Sequence, residues 1–595
     1  MTPAKGSTDG PRVVVAGGGL AGMTAALALA KRNCQVTLYE EKEMLGGNVA
    51  SRSITKRDGK DVYFDVYPHM YQPWYRNFWQ LMEQVGINPD SDPELDPDAS
   101  FIPFRCFFQL RKGEFPHFTH LEDAYSAGHL WKNLLSGVGS PGDMLVFGYA
   151  GLDLVAERMN PTVRLSNMSM GGFLNARTYM TRGALDAYET FITRVWAIPS
   201  YLASAEDCRT YLTFCLPAGD KPSRLTREPA IDAYLARLEK ALKDEGVKIE
   251  PKKRIERVVC AAGTVSEIFL QKTRFDPKTE AWVGSGKATS LDKGFDYLVL
   301  AVPPATLIHL TRNGERGERI VDEEPRLATL IHLGSKAVPM LHLCFKDKLK
   351  DIPEGPVGLF GSALNLAFTD ISQSWRGAHP LYEKKTVLAV SCSEPAKLVG
   401  PATANGQMIL EELWGYLGLK GKPEWNVSPQ IEWTITRYHE NGDAKLSLNA
   451  IGTEDARPKA KCEALPNLFI AGDFCQHYVG MTTVEAAVVS GLAAARDLAE
   501  DVEPPLGEVE ILAPETWPDG LYVAARYAWS PSIVAAKAWA LAGGEWAEAM
   551  APVDVGQGDF AADVRFAGGE RRPHEDESLL RYLLTPGLTA RSRRL

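Results

Sequence analysis

Apolar and polar positions near the start of the chain predict a strand, a helix and a second strand in close succession. Residues 13–16 form a short apolar run, and an Ala-rich pattern typical of a helix continues to about Arg32. A second apolar run covers residues 35–39 and ends on the acidic pair Glu40 and Glu41. This order predicts a βαβ unit, in which two parallel strands are joined by a helix.

Three glycines lie where the first predicted strand meets the helix, in the pattern Gly17-x-Gly19-x-x-Gly22. In such a turn the first glycine allows the tight bend, the second lets a pyrophosphate approach the backbone, and the third lets the helix pack on the strand. The helix N-terminus offers free N–H groups to phosphate. Glu40 follows Gly22 by 18 residues, close to the spacing at which an acid meets a ribose hydroxyl. The unit is therefore predicted to bind a dinucleotide.

The same patterns predict an alternation of helices and strands in the rest of the chain. Helical spacing indicates helices at residues 140–159, 184–215 with a break at Pro199, 229–245, 404–417 and 482–500. Strand-like runs lie at residues 247–250, 255–260, 265–271, 295–302, 337–345, 386–392, 430–438 and 466–474. A polar insert is predicted around Gly284 and Gly286, and a late helix is predicted to start at Ser530–Pro531 and end at Met550.

The composition is that of a globular protein, with 45% hydrophobic and 24% charged residues among 595. A net charge of −10 argues against nucleic acid as the main partner. The nine cysteines show neither CxxC pairs nor a Cys/His ligand pattern, so we expect free thiols in a reducing compartment and no metal site. No secretory signal and no run of 18 apolar residues is found. We expect a cytoplasmic protein.

Aromatic residues are concentrated in two segments. Residues 62–79 contain eight aromatic side chains, and residues 101–118 contain six phenylalanines. Rings at this density either fill the core or line a long apolar pocket. The sequence leaves both readings open.

Several longer motifs resemble the flavin-dependent amine oxidase and carotenoid desaturase superfamily. Within it, the chain more closely resembles the plant and cyanobacterial type of phytoene and zeta-carotene desaturase. The resemblance runs from residue 12 to about residue 498, and it is carried by the glycine turn with Glu40 and by residues 45–51, 68–70, 296–303, 468–474 and 484–491.

The resemblance implies FAD, bound in an extended form across a two-domain body. At the pyrophosphate and adenosine end, it implies contacts from Gly17, Gly19, Leu20, Ala21, Gly22, Glu40, Glu41, Gly46, Gly47 and Ile255. At the other end it places Gly472 and Asp473 near the pyrophosphate or ribityl chain, and Thr483 and Val484 under the flavin pyrimidine ring. A helix N-terminus there has a physical reason, because reduced flavin carries negative charge that free N–H groups stabilise.

The chain departs from its relatives at three positions near the cofactor. Many relatives have Arg or Lys after the glycine pair where this chain has Asn48, and Arg52 is near enough to replace that cation. Tyr67 stands where a glycine usually precedes the Pro-His pair. Lys336 is the sole candidate for the lysine that amine oxidases place near flavin N5, and we predict it to be an ordinary strand-edge residue.

The predicted fold class is α/β. A Rossmann-like FAD-binding domain, with a parallel sheet and a three-stranded meander, is expected at residues 11–95, 228–310 and 455–500. An α+β substrate-binding domain interleaved with it is expected at residues 96–227 and 311–454. Residues 501–595 form a C-terminal extension with no counterpart in the family.

The expected chemistry is hydride loss from an allylic carbon to flavin N5, giving desaturation or double-bond isomerisation of a long apolar lipid such as a carotenoid-like isoprenoid or a fatty acyl chain. The resulting cation is acidic, so a weak base suffices. His69 and His477 lie beside flavin motifs and are candidates for proton transfer, and Tyr478 is a candidate for the substrate wall. For each histidine the alternative is a structural role.

Two other functions stay open at this stage, namely a flavin amine oxidase that releases hydrogen peroxide and a non-catalytic flavin-dependent assembly protein. A lipid substrate would favour peripheral contact with the inner face of a membrane. The basic, Leu-containing residues 579–595 could assist there, or could be an ordinary chain end.

Overall fold

A computed structural model of the protein describes residues 10–543 apart from 58–59, 97, 105, 114–116, 123–131, 135, 158–163, 220, 278–280, 293 and 376. The predicted basic stretch at residues 579–595 lies outside the described residues. The expected end of the late helix at Met550 lies outside them too.

Strands and helices alternate along the described chain. The strands β1 to β21 are Arg12–Ala16, Gln35–Glu40, Ser51–Arg57, Lys60–Asp65, Phe101–Phe104, Cys106–Arg111, His117–Glu122, Ser223–Thr226, Lys248–Pro251, Lys253–Ala261, Thr264–Asp276, Ala281–Leu291, Tyr297–Leu300, Ser335–Lys336, Met340–Cys344, Pro356–Leu359, Leu366–Asp370, Val387–Cys392, Arg437–His439, Leu446–Ser447 and Leu468–Ile470. The α-helices α1 to α14 are Leu20–Ala30, Arg76–Gln84, Pro141–Ala156, Met170–Asn175, Arg182–Trp196, Ala205–Ala218, Ala236–Asp244, Pro304–Arg312, Ile320–Glu323, Ile371–Ser374, Pro380–Lys384, Ala402–Tyr416, Val484–Asp501 and Asp519–Gly543.

A five-stranded parallel sheet in the order β21-β13-β1-β2-β9 confirms the predicted dinucleotide-binding architecture. The central strand β1 pairs with β2 on one side and β13 on the other. Its residues from Val13 to Ala16 are buried. Both faces of the sheet are covered, one by α1 and α13 and the other mainly by β10 and β11, which explains the continuous apolar pattern. β21 comes from the far end of the chain, so the two ends meet in one sheet.

The antiparallel meander β10-β11-β12 also confirms the prediction. Its third strand, however, runs from Ala281 to Leu291 and contains the stretch predicted to be a polar insert. Gly286 has φ +77° and Gly284 pairs with Thr273. This edge strand is partly or fully exposed along its length, so it lacks the apolar run by which a buried strand is predicted from sequence.

The largest sheet among the described residues has seven strands, in the order β19-β15-β18-β17-β16-β6-β7. The middle strands β15, β16 and β17 are completely buried. The strand predicted at residues 430–438 is wrong in extent, because only Arg437–His439 is a strand. The preceding residues form turns, in which the Trp433 indole donates to the Ser428 carbonyl at 3.0 Å.

Helix α1 is buried along its whole length and packs against α13, the last helix of the family motif. A methyl group on Gly491 would lie 2.3 Å from the Ala21 carbonyl oxygen. Close helix contact at this point therefore requires glycine, and it holds the first and last family motifs together.

The C-terminal extension contributes to the described structure as far as Gly543. Helix α14 begins at Asp519, so the predicted start at Ser530–Pro531 is wrong. Pro531 lies inside the helix, which packs on α3. The segment before it crosses helix α2, where the Leu512 backbone and the Asn77 side chain exchange hydrogen bonds of 2.7 and 2.8 Å.

Candidate functional site

The glycine turn divides its three glycines into two that packing requires and one that faces open space. Gly17 has φ +105°, and a methyl there would lie 2.2 Å from the Ala301 carbonyl oxygen. A methyl on Gly22 would lie 1.9 Å from the Gly17 oxygen. At Gly19 the nearest neighbour of an added methyl is the Gly47 Cα at 3.9 Å. The cleft beside Gly19 is therefore left free for a ligand.

Helix α1 points its N-terminus into this cleft. Gly19 is the N-cap residue and provides no side-chain cap, while Leu20 and Ala21 border the cavity. An uncapped N-terminus leaves backbone N–H groups available and carries a partial positive charge. This is the arrangement that binds a phosphate group.

Glu40 ends β2 beside the same turn and borders the cavity together with Glu41. Its carboxylate accepts hydrogen bonds from the Gly18 amide at 2.7 Å and the Lys42 amide at 2.8 Å. Burial raises the pKa of Glu40, and the two amides oppose that shift. The turn and the acid are thus fixed to each other, and the remaining lone pairs of the carboxylate can receive a ribose hydroxyl.

The second glycine pair lies directly against the first turn. The Gly46 amide donates to the Gly18 carbonyl at 2.8 Å, and Gly47 has φ +58°. Asn48 follows and also borders the cavity. The glycine turn and the second glycine pair therefore form one wall of the cleft.

Arg52 does not border the cavity, contrary to its expected role as a replacement phosphate cation. Its guanidinium donates to the Asn441 amide oxygen at 2.7 Å and to the Asp443 carboxylate at 3.0 Å. These bonds turn the guanidinium towards the segment that follows β19. Ile255 borders the cavity next to Arg254, at the end where the adenine was expected.

The opposite wall comes from the end of β21 and the start of α13. Gly472, Asp473, Thr483 and Val484 border the cavity. Thr483 caps the helix by accepting from the Ala486 amide at 3.1 Å. Asp473 accepts from the Ser447 hydroxyl at 3.0 Å, and burial raises its pKa to about 6.

Among the predicted catalytic residues, His69 borders the cavity. Its Nδ1 lies 2.9 Å from the Tyr67 carbonyl oxygen. Because a carbonyl oxygen only accepts, Nδ1 carries the proton and Nε2 keeps its lone pair. Burial lowers the pKa of His69 to about 4, so the ring is neutral at physiological pH.

His477 and Tyr478 do not border the cavity, so the structure does not bring them to the predicted reaction site. The Tyr478 hydroxyl donates to the Leu512 carbonyl at 2.6 Å, and the side chain is 41% exposed on the outer surface. Both ring nitrogens of His477 are buried, and burial lowers its pKa to about 4. The loop after Asp473 leads away from the cleft towards the C-terminal extension.

The cleft continues from the cofactor-side residues to the seven-stranded sheet, and the whole cavity, cofactor side included, has a volume of about 370 Å³. Sequence reasoning missed this far end, because its residues come from α5, β15, β17 and β18 without a local motif. They include Val195, Trp196, Met340, Ala367, Phe368 and Ala389. It also missed residues 443–449, several of which border the cleft.

Most of the aromatic residues in the two dense segments form the core and do not line a pocket. The Tyr71 and Phe78 rings stack with centroids 5.0 Å apart, and Trp79 and Phe101 meet edge to face at 5.1 Å. Of the described aromatic side chains in residues 62–118, Tyr67 and Tyr75 border the cavity. Core packing is therefore the main role of these segments.

Lys336 is engaged away from the cavity. Its ammonium donates to the Ser393 carbonyl at 2.6 Å, and burial lowers its pKa. It lies on the two-residue strand β14, paired with Leu446 of β20. This position agrees with the strand-edge role predicted for it.

Comparison with known proteins identifies both halves of the cofactor cleft. Residues 15–85 match the NAD(P)-binding Rossmann-like domain, and residues 265–499 match the family described as flavin containing amine oxidoreductase. The carotenoid phi-ring synthase of Streptomyces griseus is 29% identical over 214 residues, which cover 33% of this chain and 37% of that protein. The zeta-carotene desaturase of Synechocystis is 37% identical over 75 residues, covering 13% and 14% of the two chains.

Among solved structures, the putative protoporphyrinogen oxidase of Exiguobacterium has the same fold. The TM-score is 0.55 at 16% identity, and the alignment covers 84% of this chain and 100% of that one. The open approach at Gly19, the uncapped helix α1 and the carboxylate of Glu40 fit the pyrophosphate and ribose of a dinucleotide. Two segments of the chain are thus similar to a dinucleotide-binding domain and to the flavin containing amine oxidoreductase family, and the cleft that they border fits FAD as the cofactor.

Proposed function

We propose that the protein is an FAD-dependent oxidoreductase that desaturates or isomerises a long, apolar, unsaturated lipid, of the carotenoid-like isoprenoid or fatty acyl class. The observation that carries this proposal is the apolar far end of the cavity. It is continuous with the cofactor cleft and ends against buried strands of the seven-stranded sheet. An apolar chain that binds in that space would gain a free energy of about 25 cal/mol for each Å² of apolar surface removed from water.

The charges around the cavity favour an apolar substrate over a cationic amine. Of the four carboxylates bordering it in the described structure, Glu40, Glu41 and Asp443 lie at the glycine-turn end, and Asp473 is bonded to Ser447. The far end holds a cation, Arg194. An ammonium group there would lose its hydration without gaining a carboxylate, which is costly.

Bound FAD supplies the hydride acceptor for this reaction. Loss of hydride from an allylic carbon leaves a cation, and loss of a proton from the adjacent carbon completes the new double bond. We assign the proton to His69 Nε2, whose lone pair is fixed by the bond between Nδ1 and the Tyr67 carbonyl. A base with a pKa near 4 is weak, but it is adequate for so acidic a cation.

The matched relatives support the substrate class, since their names refer to carotenoids. Their alignments span 37% and 14% of those proteins, so the substrate of this chain is proposed and not transferred. The family name supports amine oxidation as the second candidate. Lys336 argues against that candidate, because its ammonium is held by the Ser393 carbonyl outside the cavity.

We also propose that the substrate is collected at a membrane surface, because long polyenes and acyl chains partition into bilayers. Among the described helices, none has the length and apolarity needed to cross a bilayer. Flotation of the purified protein with anionic and with neutral liposomes tests this proposal. Protein that stays at the bottom of both gradients contradicts it.

Analysis of the lipid that co-purifies with the protein tests the substrate class. The protein is purified without detergent, extracted with solvent, and examined by mass spectrometry. We expect an unsaturated lipid in the wild type and much less in Ala367→Phe, which narrows the apolar end. An equal amount of lipid in both proteins would contradict binding in this cavity.

A further inference from the structure

The pyrophosphate of FAD brings two negative charges into the cleft, and the partial charge of a helix N-terminus balances only part of them. Three cations bordering the cleft are already paired with carboxylates. Lys42 lies 2.9 Å from Asp443. Lys253 forms an ion pair of 2.7 Å with Glu250, and Arg254 forms one of 2.9 Å with Glu256. Arg194 also borders the cavity, but at its far end. An additional positive charge for the phosphates would therefore come from another residue.

Lys445 is a cation that borders the cleft and has no ion pair in the described part of the chain. Its side chain is exposed, and its backbone carbonyl accepts a hydrogen bond from the side-chain Nδ2 of Asn48 at 3.1 Å. Its ammonium is therefore available to a ligand in the cleft.

The hydrogen-bond partner of Lys445 places its backbone beside the phosphate-binding turn. Asn48 follows Gly47, whose Cα lies within 3.9 Å of the methyl position of Gly19. Gly46 is bonded to Gly18. One hydrogen bond thus connects the backbone of Lys445 to the glycine wall at the N-terminus of α1.

The segment that carries Lys445 is tied along its length to the cofactor side of the cleft. We call residues 441–449 the cofactor strap. Asp443 receives ion pairs from Lys42 and Arg52 at its start. Near its end, Ser447 donates to Asp473, and the Thr482 amide donates to the Asn449 side chain at 2.6 Å. Bonds at both ends fix the backbone of Lys445 before a ligand binds, which lowers the entropic cost of the contact.

We propose that Lys445 is the cation that binds the pyrophosphate of FAD, and that Asn48 acts by positioning it. Asn48, which follows the glycine pair, then contributes through its hydrogen bond to the cofactor strap. The positive charge itself comes from Lys445 in that strap. This inference rests on FAD as the cofactor and is independent of the substrate proposed above.

Titration of FAD into the flavin-free protein, followed by flavin fluorescence, tests the assignment. We expect Lys445→Gln to raise the Kd about tenfold, because a charge-assisted hydrogen bond is lost. Lys445→Arg should retain most of the affinity. Lys350→Gln, which removes an exposed lysine outside the cavity, should leave the Kd unchanged.

Ionic strength and a double-mutant cycle separate a phosphate contact from a loss of folding. The Kd of the wild type should rise more steeply with salt than that of Lys445→Gln. Asn48→Ala should weaken binding by a smaller factor, and the double variant Asn48→Ala/Lys445→Gln should bind no worse than Lys445→Gln. Thermal unfolding of the flavin-free proteins checks that each variant is folded.

Three outcomes contradict the inference, and each contradicts a different part of it. If the wild type binds FAD but Lys445→Gln binds it equally well, only the role of Lys445 is wrong. If the wild type binds no FAD, the cofactor assignment itself fails. Additive losses in the double variant would show that Asn48 does not act through Lys445.

Discussion

The guanidinium of Arg526 donates to the Asp153 carboxylate at 2.9 Å, and the two side chains are only 2% and 8% exposed. Asp153 also accepts from Arg177 and from the Tyr179 hydroxyl, both at 2.7 Å. Burial raises the pKa of Asp153, but the two guanidinium groups bring it below its ordinary value. The ion pair anchors the C-terminal helix α14 to α3, so the described part of the extension belongs to the folded body.

Replacing Arg526 with Met should lower the free energy of unfolding by about 3 kcal/mol, because it removes one partner of a buried ion pair. Urea denaturation measures this change. Arg182→Met is a matched control, since it breaks a solvent-exposed pair with Asp186 and should cost less than about 1 kcal/mol. Equal losses in the two variants would contradict an anchoring role for Arg526.

Gly19→Ala should abolish tight FAD binding while leaving the protein folded. The added methyl meets no protein atom closer than 3.9 Å, and the backbone of Gly19 is in an extended conformation that alanine adopts. The methyl would instead occupy the approach of the pyrophosphate, so we expect the Kd for FAD to rise at least about tenfold. Flavin absorbance of the purified protein and its thermal unfolding are the two measurements.

Gly22→Ala provides the contrasting control at the same turn. Its methyl would lie 1.9 Å from the Gly17 oxygen, so stability and FAD binding should fall together. If Gly19→Ala also unfolds the protein, or if it binds FAD normally, the open wall at Gly19 has been misinterpreted.

His69→Gln should lower the rate of substrate oxidation about a hundredfold, because it removes the proton acceptor from the cavity. The neutral ring is the active form. Burial lowers the pKa of His69 to about 4, so the ring stays neutral between about pH 5 and about pH 8. Titration of His69 should therefore not change the wild-type rate in this range. The rate should fall as the pH drops through about 4.

His477→Gln is the matched control for this experiment, since the structure places His477 outside the cavity. Its rate should stay within about twofold of the wild type. A hundredfold loss in His477→Gln, with normal turnover in His69→Gln, would reverse the assignment.

Lys336→Met should leave the rate of flavin reduction within about twofold of the wild type. Removing the ammonium costs its hydrogen bond to the Ser393 carbonyl, so we expect a loss of about 1–2 kcal/mol in stability. Rapid-mixing kinetics with a polyene and with a primary amine measure the rate. A large, amine-specific loss of flavin reduction would favour the amine oxidase alternative.

The cofactor half of the site could be predicted from sequence because its signals are local. Gly17, Gly22 and Glu40 are required by one turn, and each leaves a fixed spacing in the chain. The buried strands Arg12–Ala16 and Tyr297–Leu300 are equally legible, since a parallel sheet covered on both faces demands apolar runs.

The substrate half could not be predicted because no short segment encodes it. Trp196, Met340 and Phe368 meet at one end of the cavity from separate helices and strands. Tyr478 follows His477 beside a flavin motif, which predicts a place in the substrate wall. The structure bonds it instead to Leu512 of the extension, for which the family offered no guide.

Anaerobic reduction of the bound flavin tests the central claim most directly. The purified protein is mixed, without oxygen, with long polyenes, unsaturated fatty acyl lipids and primary amines, and the oxidised-flavin absorbance is followed. We predict bleaching by an apolar unsaturated lipid, with a desaturated or isomerised product found by mass spectrometry, and none by amines. Rapid bleaching by amines alone would establish amine oxidation, and a flavin that no substrate reduces would support a non-catalytic role, so either result would contradict the proposed function.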